Sequence, residues 1–182
     1  MTARISHIDL DDRNLPPPTP EIEQERKVAI YDLLEDNSFA LPAREGRAAP
    51  DGPYRLSLSI RERRLVFDID TDTDTDADSD AGTGTGADAD AGAATREHVA
   101  EFHLSLSPFR QVVKDYWAIC ESYFNAVKTM PPSQIETIDM ARRGIHNEGA
   151  RILQERLEGK AEVDDDTARR LFTLICVLHY GG

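Results

Sequence analysis

Arg142 and His146 stand four residues apart inside the stretch Ser133 to Glu158, SQIETIDMARRGIHNEGARILQERLE. On a helix that spacing puts a fixed positive charge and an imidazole one turn apart on one face. An arginine can hold a carboxylate or phosphate through paired N–H donors. A neighbouring imidazole can donate to the same anion or move a proton near neutral pH. Asp139, three residues before Arg142, is the nearest candidate counter-ion; Asn147 and Glu148 point to other sides of the helix. Asp139, Arg142, His146, Asn147 and Glu148 together form the candidate pocket. The same residues also suit an interior salt bridge beside a satisfied core histidine, because an inward arginine without a partner is very costly.

The stretch that positions them reads as one long helix. Ile135, Ile138, Ala141, Ile145, Ile152, Leu153 and Leu157 recur at the roughly 100° per residue of one helical face, with Arg142 and His146 inside that arc. Pro131 and Pro132 precede it, Ser133 and Glu136 have the spacing of a capping box, and Gly159 can end it. Gly144 and Gly149 each cost the helix about 1 kcal/mol relative to Ala. A helix accepts that where another backbone or a ligand comes close. The expectation is that the remaining elements close over this helix.

Before it, the pattern changes along the chain. Arg4 to Leu10 is a possible strand with imperfect alternation. Leu15 to Pro20 is a stiff proline-rich connector. Thr19 and Pro20 then start a helix as cap and first residue, running through Ile22, Ala29, Ile30, Leu33 and Leu34 to about Asn37, with Glu21, Glu23 and Glu25 at the positive end of its dipole. Tyr54, Leu56, Leu58 and Ile60 alternate with polar residues, as do Leu65, Phe67 and Ile69, and Ala100, Phe102, Leu104 and Leu106. These are three half-buried strands, the first two joined by a tight hairpin. Ser107 and Pro108 open a helix with a broad apolar face, and Asp164 to Asp166 open a last one in which Leu171 to Leu178 is apolar almost all round.

Thr71 to Thr95 carries seven Asp and neither Lys nor Arg, within a chain of net charge −13. An EF-hand begun at Asp76 would have Ala81 and Ala87 where glycine and glutamate are required, so the tract does not match a calcium loop. It reads as a disordered acidic low-complexity insert, residues 71–95, in a β-hairpin loop. The remainder is mildly acidic, which argues against nucleic-acid binding and against an anionic membrane surface. Cys120 and Cys176 sit in apolar helical stretches and read as buried free thiols. No zinc spacing, phosphate loop, dinucleotide fingerprint or nucleophile elbow is present, so no metal and no cofactor are expected. The start has no apolar signal core, and the expected location is cytoplasmic.

In this order, TPEIEQERKVAIYDLLEDNSFALP, GPYRLSLSIRERRLVFDI, EFHLSLSPFRQVVKDY and PPSQIETIDMARRGIHNEGARILQERLEGKAEVD resemble a family of small bacterial proteins described only as uncharacterised. The resemblance covers nearly all the chain except the acidic tract. It implies no reaction, cofactor or catalytic residue.

The expected fold is α+β: a single domain over 1–182 with a small antiparallel meander of three to four strands. About four helices pack it, three of them consecutive at the C-terminal end. The expected function is a non-catalytic binding or regulatory module, its partner a protein or a small anionic ligand. The alternative is a small enzyme or ligand-binding protein in which Arg142 holds an anionic metabolite and His146 transfers a proton.

Overall fold

A computed structural model describes residues 3–72 and 96–179. Except for Thr71 and Asp72, the acidic tract lies outside the described residues.

The three alternating segments form β3 (Tyr54–Arg61), β4 (Arg64–Thr71) and β5 (His98–Ser105), an antiparallel meander as their pattern requires. Tyr54, Leu56, Leu58, Leu65, Phe67, Ile69, Ala100, Phe102 and Leu104 are buried on one face. Arg61 pairs with Arg64, so Glu62 and Arg63 alone make the β3–β4 turn. Both adopt positive φ, 50° and 63°, where Asn-Gly is the usual choice.

β1 (Ile5–Leu10) adds a fourth strand, but parallel to β3, so the sheet is mixed, with order β1-β3-β4-β5. A register shift between Ile5 and His7 accounts for its imperfect alternation. The parallel direction follows from the crossover made by α1 (Pro20–Glu35). Thr19 caps α1, its hydroxyl accepting from the Ile22 N–H at 3.3 Å. The helix stops before Asn37, whose side chain instead accepts from the Ile5 N–H at 2.7 Å and donates to the Ile5 and Leu33 carbonyls. One amide thus ties the end of α1 to the start of β1.

Two corrections concern helix starts. Ser107 does not cap α2 (Arg110–Thr129); Ser107–Phe109 is a 3₁₀ turn leading into it, with no side-chain cap. Ser133 does not cap α3 (Pro132–Leu157), which starts one residue earlier at Pro132, whose fixed φ suits the first helical position. After α3, Gly159 turns the chain at φ 77°. Phe39–Ala40 (β2) and Glu162–Val163 (β6) then form a separate antiparallel pair, too short to show a period in sequence.

The helix at the centre is α4 (Asp165–Leu178), not α3. Asp164 caps it, accepting from the Thr167 N–H at 2.9 Å. It buries Ala168, Leu171, Phe172 and every residue from Leu174 to Leu178, and it packs against α1, α3, α2 and β3. In α3 the fully buried residues begin only at Gly149, with Ala150, Leu153 and Leu157. Ile135, Ile138 and Ile145 are half-buried and Ala141 is exposed. The N-terminal half of α3 pairs with α2 as a helical hairpin and leaves its far side wet.

Candidate functional site

The spacing of Arg142 and His146 puts both on the face of α3 that meets its neighbours. The Arg142 guanidinium donates from Nη2 to Glu25 Oε1 of α1 at 2.8 Å. Tyr116 of α2 donates its hydroxyl to the other oxygen, Oε2, also at 2.8 Å. The Tyr123 ring covers the guanidinium, 5.1 Å from Cζ to the ring centroid, an arrangement the electron-rich ring face favours. Arg142 Nε is buried without a hydrogen-bond partner. Burial pulls the arginine pKa down, but Glu25, Tyr116 and Cys120 together more than offset it, so the pKa is raised and the group stays charged. Burial, then the Glu25 charge, drive the Tyr116 hydroxyl well above its usual range.

His146 lies 4.9 Å from the Tyr116 ring and 6.4 Å from Phe172. Its Nε2 is 3.1 Å from Thr173 Oγ1, and Thr173 gives its single hydroxyl hydrogen to the Arg169 carbonyl at 3.2 Å. The bond from His146 must therefore run from an Nε2–H to the threonine oxygen. Burial, reinforced by the charges of Arg142 and Arg169, lowers the imidazole pKa to about 4. It is neutral at pH 7, and its one N–H is already engaged.

The other three candidates are not drawn in. Asp139 pairs with Arg143, one turn on, at 3.0 Å rather than with Arg142, because Arg142 reaches across to α1. Glu148 is exposed and binds Arg151 at 2.6 Å; Asn147 accepts from Arg169 at 3.3 Å on the surface. The polar centre is instead Glu25, Tyr116, Tyr123, Arg142, His146 and Thr173, contributed by four helices. Glu25 had a signal in the sequence. It sits three residues after Ile22 and four before Ala29, on the apolar stripe of α1 rather than beside Glu21 and Glu23 at its start.

Gly149 explains one of the two mid-helix glycines. A Cβ there would come within 2.5 Å of the Phe172 ring, whereas one at Gly144 would meet nothing within 4 Å. Only the first serves close packing.

Among the described residues, Asp68, His98 and Glu101 bring one donor atom each within 4.8 Å of one another on the polar face of the sheet. Each already has a partner: Arg61, Asp70 and His103 respectively. Among the described residues no helix is long and apolar enough to cross a membrane.

A family model described as "Uncharacterised protein family (UPF0262)" matches residues 2–81 and 89–181. The chain belongs to the UPF0262 family. The break at 82–88 falls inside the acidic tract. A UPF0262 protein of Ruegeria pomeroyi is 72% identical over 180 residues, covering 99% of this chain and 98% of its own. Those of Ruegeria sp. strain TM1040 and Roseobacter denitrificans are 72% and 68% identical, each covering 99% of both chains. All three organisms are bacteria, as the resemblance of the segments implies. No solved structure matches the chain.

Proposed function

We propose that this UPF0262 protein is a non-catalytic cytosolic binding or regulatory module. The observation that carries this reading is the closed pair of Arg142 and Glu25, completed by the Tyr116 hydroxyl. The arginine's charge is spent on joining α3 to α1. A histidine that is neutral down to a pH of about 4, its N–H engaged by Thr173, is a weak proton carrier near neutrality. The constellation therefore serves architecture, and recognition is left to the surface.

The alternative, a small enzyme or ligand-binding protein for an anionic metabolite at Arg142 and His146, draws on one observation: Arg142 Nε is buried and unsatisfied. Melting of wild type and Arg142→Ala in the presence of a panel of anionic metabolites separates the two. The module reading expects Tm to fall by about 5–10 °C, the equivalent of about 2–3 kcal/mol in a chain of this size. An unchanged Tm with lost stabilisation by one metabolite would overturn it in favour of the alternative.

A further inference from the structure

A cleft of about 720 Å³ lies away from the buried polar centre, between the β3–β4 turn, the start of α2 and the end of α4. Ile60, Leu106 and Leu178 line it, with Leu15 and Pro16 of the connector before α1. Its volume is that of a small-molecule site. Arg63, Arg110 and Lys114 stand around this apolar lining. Among the described residues none of the three makes a salt bridge, although Asp and Glu outnumber Lys and Arg by 34 to 21. Asp11 also lines the cleft, but Arg13 holds both its oxygens at 2.8 Å.

Several local rules are broken at this one place. Arg110 is the first residue of α2, a cation at the positive end of the helix dipole, where an acidic residue is preferred. The first turn of α2 holds no acidic residue. Lys114, one turn on, adds a like charge on the same face, which weakens a helix further. Arg63 is held with φ at 63°, a conformation costly for a side chain of its kind. Each choice costs stability in the empty protein, and an anion in the cleft offsets the electrostatic ones together. Broken local rules that converge on one cavity mark a functional surface.

We propose that this cleft binds a small amphipathic anion, a carboxylate or phosphate monoester on an apolar body. Arg110 and Lys114 take the charge with Arg63 beside them, and Ile60, Leu106 and Leu178 take the body. The proposal deepens the binding-module reading and rests on it.

The test is fluorescence titration with anilinonaphthalene sulfonate, an aromatic anion, at pH 7 on the folded full chain. The expected result is saturable binding displaced by decanoate, but not by equal concentrations of decanol or inorganic phosphate. Arg110→Gln/Lys114→Gln should bind at least about tenfold more weakly, since two charge-assisted contacts are lost. Its melting temperature should be equal or higher, because a like-charge pair is gone. Lys128→Gln/Arg156→Gln, which makes the same change in net charge on exposed helix positions elsewhere, should bind as wild type does. Absence of saturable binding, equal affinity in wild type and the cleft variant, an equal loss in the control, or displacement by phosphate as effective as by decanoate would each overturn the proposal. The melting test of Arg142→Ala is independent of this cleft, so failure here and failure of the module reading are distinguishable.

Discussion

Arg142 and Glu25 meet at 2.8 Å across 117 positions of sequence. Their side chains are only 20% and 13% exposed, so water does little to screen the pair. Removing one partner leaves the other charge in a poorly solvated place, and loss of Glu25 also strands the Tyr116 hydroxyl.

Each of Glu25→Ala and Arg142→Ala is therefore expected to lower unfolding free energy by about 2–3 kcal/mol. The double variant should lose about 1–3 kcal/mol less than the sum. Urea unfolding of the four proteins checks this. Strict additivity would mean that the contact contributes nothing.

The two helix glycines should respond in opposite senses. Gly149→Ala drives a methyl into the Phe172 ring and is expected to cost about 1–3 kcal/mol. Gly144→Ala meets open space and should stabilise by about 0.5–1 kcal/mol through helix propensity and a less flexible unfolded chain. Thermal melts of the two single variants give the signs directly, and Gly144→Ala melting below wild type would contradict the open environment described.

His146 makes stability depend on pH. Its folded pKa, about 4, lies below the ordinary 6.5, so the unfolded chain takes up the proton first as pH falls. Its contribution is present in full above about pH 6.5 and is lost on acidification toward pH 4, on the order of 2–3 kcal/mol. Arg142 and Arg169 oppose protonation, Asp139 weakly favours it, and Thr173 and the Tyr116 ring complete the surroundings. Wild type should lose Tm more steeply than His146→Gln between pH 6.5 and 4. Parallel curves would place the imidazole in water.

How much of this was legible without coordinates depended on how local the cause was. The meander followed from two-residue alternation, and the burial of Leu171 to Leu178 from an absence of polar faces. The inward turn of Arg142 and His146 followed from angular position on α3. Their partners did not, because Glu25 and Thr173 come from other helices and proximity in sequence favoured Asp139. Gly144 and Gly149 looked alike on paper; what separates them is the Phe172 ring of α4, brought there by tertiary packing. The direction of β1 was hidden for the same reason. A short strand reads identically whichever way its neighbour runs.

The position of α4 has a consequence for synthesis. Every partner it packs against precedes it in chain order, so each leaves the ribosome before the helix that completes its packing is made. α1 waits through more than a hundred residues of translation for the helix that closes it. Non-local closure of this kind slows folding and lengthens exposure of nascent surface. Solubility during elongation must then come from the charges spread along the earlier segments, since the interior they will share has not yet been made.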